Sequence, residues 1–156
     1  MATDDAGDRG EDECRILLTN LCGRRQPFFR PRPLGAKYPA FDYIVELVDR
    51  PEYFFFVQVK ATALGYTRRP RRLRVQLDQA DVDRMVACPV PTYLVGIDVT
   101  AREVGFLLSV NEPRRRVASL TTRFPIDSGV LTELRDEVVA FWASRDMLLR
   151  GSRFRE

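Results

Sequence analysis

The sequence predicts an α/β or α+β domain in which helices cover a mixed β-sheet. Helical periodicity occurs near both ends of the chain, over residues 10–22 and 129–149. Residues 41–61 and 92–110 each contain two apolar segments joined by a short polar turn, which is typical of β-hairpins. Helices at the two ends can bury the faces of a sheet built from these hairpins. A chain of 156 residues is sufficient for one such domain.

The first quarter of the chain contains a tail, a helix and an irregular segment. Residues 1–9 are polar, and we expect them to form a disordered tail. The helix over 10–22 has an apolar face, and Gly23 is suited to end it. That face consists of Cys14, Leu17, Leu18, Leu21 and Cys22. Four prolines make residues 24–40 irregular, with a short strand expected around 28–30.

Six further segments have the apolar patterns of β-strands. They span residues 41–48, 53–61, 74–77, 92–99, 103–110 and 117–124. The segment at 92–99 is almost entirely apolar, which is typical of a strand that is covered on both faces. Arginine-rich loops at 64–72 and 111–116 lie between these strands.

Two more helices complete the domain. Residues 78–87 begin with Asp78, a suitable N-cap. Residues 129–149 have an apolar side that covers the sheet. Its members are Leu131, Leu134, Val138, Phe141, Trp142 and Leu148. We therefore expect a single domain over residues 10–150, followed by a basic tail over 151–156.

Composition excludes several classes of enzyme. The chain has no histidine, which excludes Ser-His-Asp and Cys-His catalysis. Its three cysteines lack CxxC spacing, which argues against zinc and indicates buried thiols in a reducing cytoplasm. There is no 18-residue apolar run and no signal peptide, so we expect a cytoplasmic protein without a membrane span. An enzyme here would use carboxylates, lysine, tyrosine or a hard metal ion.

A polar trio interrupts the first predicted hairpin. Gln58 and Lys60 lie two residues apart in the apolar segment FFFVQVKAT, so they share one face of the strand. Asp42 begins the preceding strand. Lysine is rare in this chain, because 23 of its 25 basic residues are arginine. A compact ammonium inside an apolar strand is suited to act on a water molecule.

A carboxylate from the first helix can join this trio. At 100° per residue, Glu11 falls within the apolar arc that faces the sheet, whereas Glu13 lies off it. Two interpretations of the trio stay open at this point. It is a functional site, or Asp42 and Lys60 form a structural ion pair while Gln58 faces solvent.

Three segments together resemble the PD-(D/E)XK nuclease superfamily, in particular its Mrr-like branch with glutamine in the second motif. These segments are FDYIVELVD, FFFVQVKAT and PTYLVGIDV. The resemblance extends to a family of small, uncharacterised bacterial domains and covers about residues 10–110. It implies a restriction-endonuclease-like α/β fold with a mixed sheet flanked by helices. Relatives often have glycine two residues before the aspartate, where this chain has Ala40.

The resemblance implies Mg²⁺- or Mn²⁺-dependent hydrolysis of DNA phosphodiester bonds, in phage defence or repair. By that resemblance Asp42, the Val59 carbonyl and Glu11, or alternatively Glu13, hold the metal. Lys60 orients or helps to deprotonate the attacking water. Gln58 replaces an acidic ligand, so we expect weak binding of a single cation. The alternative is a catalytically silent module of the same fold that binds nucleic acid or a protein.

The charge of the chain and its basic loops indicate candidate binding partners. The net charge of +3 permits a polyanionic partner. In the first basic loop, Arg68, Arg69, Arg71 and Arg72 are candidates for contacts with a DNA backbone. Residues 114–116 are a second candidate cluster. A homodimer or another protein partner is also compatible with this size of domain.

Overall fold

The computed structural model of the chain describes residues 3–145 and 148–155. Its elements are α1 (Thr3–Leu18), β1 (Phe29–Pro33), β2 (Tyr43–Leu47), β3 (Phe54–Thr62), β4 (Arg72–Leu73), α2 (Gln79–Ala87), β5 (Thr92–Asp98), β6 (Gly105–Ser109), β7 (Leu120–Thr121) and α3 (Ser128–Ala143). The predicted mixed sheet flanked by helices is confirmed at this level. None of the helices in the described residues is both long and apolar enough to cross a membrane.

The main sheet has five strands in the order β1-β2-β3-β5-β6. Only β3 and β5 pair in parallel, while the other neighbours are antiparallel. All seven residues of β5 are buried, as expected for a central strand with both faces covered. The short strands β4 and β7 form a separate two-stranded sheet.

Each face of the main sheet has its own apolar core. The face covered by α1 and α3 is rich in aromatic contacts: the Phe55 ring lies 5.4 Å from that of Phe29 and 5.3 Å from that of Tyr93. The indole of Trp142 donates to the Phe54 carbonyl at 2.9 Å, which attaches the end of α3 to β3. The opposite face packs against α2 and the small sheet through aliphatic side chains such as Leu73, Met85 and Leu120. The polar side chains of Gln58 and Lys60 in β3 lie on this second face.

The first helix differs from its prediction at both ends. It begins at Thr3, so residues 3–9 are helical rather than a disordered tail. Asp5 and Asp8 fall in its first turns, where the helix dipole favours negative charge. It ends at Leu18 instead of residue 22, because the Asn20 side chain accepts the Cys22 N–H at 2.8 Å and replaces the helical bond.

Three later elements are shorter than expected. The strand expected over 74–77 is misplaced, because β4 has two residues and lies just before that segment. The strand expected over 117–124 is reduced to the two residues of β7, and Leu77 and Val117 form an isolated bridge. The last helix ends at Ala143, directly after its final buried residue, Trp142. Leu148 is therefore outside the helix, and residues 146–147 lie outside the described residues.

Candidate functional site

The candidate site lies where β2 and β3 separate. The ladder between these strands starts at the Tyr43–Val57 pair, so residues 58–62 of β3 extend past the end of β2. Asp42 occupies the point of separation. Its N–H donates to the Val57 carbonyl at 2.9 Å, and its Oδ2 accepts the Val59 N–H at 2.7 Å. Two backbone contacts thus fix the Asp42 carboxylate against the free edge of β3.

The chain approaches Asp42 through a strained residue. Ala40 has a φ of 67°, in the left-handed region that favours glycine. A non-glycine residue there costs about 1–2 kcal/mol relative to a relaxed conformation. This is the position at which the sequence departs from the glycine of the family that it resembles. The strained turn directs the following residues into β2.

The first helix brings a second carboxylate to Asp42. Gly10 lets α1 approach β3 closely, since a Cβ at this position would lie 2.5 Å from the Ala61 Cβ. The Tyr43 hydroxyl donates to the Glu11 carbonyl at 2.9 Å and fixes this turn of the helix. Burial, a side-chain hydrogen bond with Asp42 and the negative charge of Asp42 raise the pKa of Glu11 to about 7. The two acceptor groups therefore face each other.

Glu13, the alternative to Glu11, has a different place. Its Oε2 accepts the Glu103 N–H at 3.0 Å, which joins α1 to the turn between β5 and β6. Cys14 is fully buried behind the carboxylate pair, and burial followed by the charges of Asp42 and Glu11 raises the pKa of its thiol. The thiol accordingly stays protonated. Of the two candidate glutamates, the structure brings Glu11 to Asp42.

Gln58 is buried with half of its amide unpaired. Its side chain is on the α2 face of β3 and only 7% of the residue is exposed. Nε2 donates to Asp81 Oδ2 at 3.4 Å, whereas Oε1 is buried and has no hydrogen-bond partner. An unsatisfied buried acceptor costs about 1–3 kcal/mol. Sequence reasoning missed Asp81, because its contact with Gln58 depends on how α2 docks onto the sheet.

Lys60 opens onto solvent on the same face. It lines a cleft of about 600 Å³ and a smaller adjoining one of about 250 Å³, which together we call the lysine cleft. The polar side chains around it include Thr67, Arg74, Gln76, Asp78, Arg116 and Ser119. Among the described residues, Lys60 forms no ion pair within 4.0 Å. The structural ion pair between Asp42 and Lys60 is therefore not formed.

The four arginines of the first basic loop have unequal roles. Arg72 donates to the Oγ and the carbonyl of Ser119, both at 2.8 Å, and so holds the small sheet together. The Arg71 guanidinium lies 4.0 Å from the centre of the Tyr66 ring. Arg68 and Arg69 are exposed. In the second basic loop, Arg116 reaches the lysine cleft, which the sequence did not indicate.

The oxygen donors of the site suit a hard cation. Within the described residues there is no group of three or more His, Cys, Asp and Glu side chains that could hold a metal. Asp42 and Glu11 offer instead two carboxyl groups that face each other. The unpaired amide oxygen of Gln58 belongs to the residue next to Val59, whose N–H Asp42 accepts. Mg²⁺ and Mn²⁺ bind such oxygen sets, and Mg²⁺ usually retains several waters. The residues present therefore fit one cation with an incomplete protein shell.

Comparisons of the chain with protein-family models, with curated protein sequences and with solved structures found no match.

Proposed function

We propose that the domain hydrolyses phosphodiester bonds in DNA with Mg²⁺ or Mn²⁺, in agreement with the PD-(D/E)XK-like sequence segments. The supporting observation is that Asp42 and Glu11 meet at the edge of β3, where Asp42 accepts the N–H of Val59. The neighbours of Val59 in the chain are Gln58, whose buried Oε1 is unpaired, and Lys60, which forms no ion pair with the described residues. Asp42, Glu11 and the Val59 carbonyl would hold the cation, and the Gln58 oxygen would take the place of a further acidic ligand. When bound, the cation would neutralise charge on the phosphate and lower the pKa of a water molecule.

The side chains of this site have separable tasks. The ammonium of Lys60 would donate to a phosphate oxygen and stabilise the charge that develops there. The Val59 N–H holds the Asp42 carboxylate in one orientation, so no ordering is required when the substrate arrives. Because Gln58 is neutral, we expect weak affinity for a single cation and better activity with Mn²⁺. Two tightly bound metal ions would contradict this.

The lysine cleft supplies a surface for the substrate backbone. Arg74 and Arg116 are exposed and line it together with Lys60. Arg68 and Arg69 extend the basic surface, whereas Arg72 is engaged in the fold. Each arginine that contacts a phosphate should add about one unit to the salt dependence of DNA binding. Replacing Arg116 by alanine should therefore flatten that dependence, and replacing Arg30 on the distant strand β1 should not.

A catalytically silent module that binds nucleic acid is the second candidate. It is favoured by the neutral Gln58 in place of an acid and by the absence of a three-residue acidic group among the described residues. The basic cleft would serve such a module equally well. The two candidates differ only in turnover.

Cleavage of supercoiled plasmid and of single-stranded DNA separates the two candidates. We expect the wild-type protein to cut with Mg²⁺ or Mn²⁺ and Lys60→Ala to be slower by about 10²–10⁴-fold. Lys37→Ala is the matched control, because Lys37 is the only other lysine and lies exposed before β2. DNA binding without cleavage under either metal would reject the enzyme and favour the module.

A further inference from the structure

The contact between Gln58 and Asp81 joins the candidate site to α2. Gln58 lies in the middle of β3, and Asp81 lies in the first turn of α2. The N–H of Asp81 donates at 2.8 Å to Asp78 Oδ1, the side chain that caps this helix. Negative charge is also favoured at this place by the helix dipole. Asp81 therefore presents its carboxylate to the Gln58 side chain from a backbone position that the cap holds.

This carboxylate decides which end of the Gln58 amide faces it. A carboxylate can only accept hydrogen bonds, whereas the amide has a donating NH₂ and an accepting oxygen. With NH₂ toward Asp81, one hydrogen bond forms at 3.4 Å and Oε1 is left free. The reverse orientation would place two acceptors against each other. The unpaired oxygen is thus a consequence of Asp81.

We infer that Asp81 is a positioning residue that orients the Gln58 amide and keeps its oxygen available for the cation of the candidate site. The role of the oxygen as a ligand rests on the proposed function, whereas its orientation rests on the contact alone. The contact also accounts for the neutral residue at position 58. A glutamate there would place a second carboxylate 3.4 Å from Asp81, and like charges at such a distance repel.

The inference predicts a reversal of sign when the carboxylate at position 81 is removed. In the wild-type background, Gln58→Glu should lower the melting temperature of the metal-free protein, because two carboxylates then meet. In the Asp81→Asn background the same change should leave the melting temperature unchanged or raise it, since an amide at position 81 can donate to the new carboxylate.

Asp83→Asn is the matched control for this cycle. Asp83 lies two residues further along α2 and accepts from Gln79 Nε2 at 2.8 Å, so it forms the same type of pair on an exposed surface. It should not rescue Gln58→Glu. If Asp81→Asn also fails to rescue it, or rescues it no better than Asp83→Asn, the inference is wrong. If Gln58→Glu does not fold, the inference is decided by the Mn²⁺ affinity of the single variant Asp81→Asn.

Titration with Mn²⁺, followed by calorimetry, tests the link to the cation. Loss of a residue that orients a ligand typically weakens metal binding by about 10–100-fold. We expect that loss for Asp81→Asn and none for Asp83→Asn. Equal Mn²⁺ affinity of Asp81→Asn and the wild type would overturn the inference. If the wild type binds no Mn²⁺, the proposed cation site fails, while the melting-temperature cycle still shows whether Asp81 orients the amide.

Discussion

The two ends of β2 carry the same kind of residue in opposite electrostatic settings. Asp42 lies just before the strand, and Glu46 lies near its end. Glu46 Oε1 accepts from Arg32 Nε at 2.9 Å across the β1–β2 pair. Asp42 instead faces another carboxylate, Glu11. At the Glu46 end the negative charge is neutralised by an arginine on the surface. At the Asp42 end two carboxyl groups meet without a basic partner among their described contacts.

The difference shows how a stabilising contact and a candidate site can be told apart. The Glu46 pair is complete within the chain. The Asp42 end combines two carboxylates, a buried unpaired amide oxygen and a strained Ala40. Each of these features costs stability, and Asp42 connects them. It lies two residues after Ala40, faces Glu11 and accepts the N–H of Val59, the residue after Gln58. Such clustering of unfavourable features is common at sites that a ligand completes.

Replacing Gln58 by methionine should give the largest change in stability. The substitution keeps the volume of the side chain and removes a buried acceptor without a partner, together with the long contact of 3.4 Å to Asp81. Because the unsatisfied acceptor costs more than the long contact contributes, the free energy of unfolding should rise by about 1–2 kcal/mol. Chemical denaturation measures this directly. Gln26→Met, at an exposed position before β1, should change stability by less than about 0.5 kcal/mol. A loss of stability in Gln58→Met would mean that the amide oxygen has a partner in solution.

The pH dependence of stability tests the carboxylate pair. The pKa of Glu11 is raised from its ordinary value of 4.5 to about 7 in the folded protein, so folding favours the protonated form. The stability from this group is present below pH 4.5 and is lost as the pH rises toward 7. Because solvent screens a half-buried carboxyl, the loss is on the order of 1 kcal/mol. Melting temperatures of the wild type and Glu11→Gln across this range measure it.

Glu11→Gln should remove this loss of stability between pH 4.5 and 7, and it should be more stable than the wild type at pH 8. Glu13→Gln is the control, because the Glu13 carboxylate accepts a backbone N–H instead of facing Asp42. It should show the same loss of stability as the wild type. Identical pH profiles for the wild type and Glu11→Gln would show that the two carboxylates do not interact.

Breaking the pair at the other end of β2 should have the smallest effect. Arg32 is more than half exposed, and exposed ion pairs contribute about 0.2–1 kcal/mol. Glu46→Gln should therefore lower the free energy of unfolding by no more than this amount, and added salt should reduce the difference. Denaturation at low and high ionic strength measures both. If Glu46→Gln lowered the free energy of unfolding by more than about 1 kcal/mol, the Glu46–Arg32 pair would not be the weak surface contact that its exposure indicates.

Local patterns were sufficient to predict the hairpin and its polar face. The two-residue period of a strand places Gln58 with Lys60, and the helical period places Glu11 toward the sheet, whatever the rest of the fold. The Asp78 cap was equally local, and the structure confirms it. These parts depend on residues that are close in sequence.

The remaining contacts depend on how distant segments dock. Asp81 is 23 residues from Gln58 and meets it only because α2 packs on the open end of β3. Arg72 donates to Ser119, which lies 47 residues away and directly before β7. Its sequence neighbourhood indicated a free basic loop, whereas the fold engages this arginine. Arg116 reaches the lysine cleft for the same kind of reason. The periodic patterns of helices and strands carry no information about such contacts between residues far apart in the sequence.

The most direct test of the cation site is a Mn²⁺ titration of the wild type beside Asp42→Asn and Glu46→Gln. The two variants remove one carboxylate charge each from opposite ends of the same strand. We expect the wild type and Glu46→Gln to bind one Mn²⁺ with equal affinity, and Asp42→Asn to bind at least about tenfold more weakly. Equal affinity of all three proteins, or no binding by the wild type, would contradict the assignment of this end of β2 as a cation site.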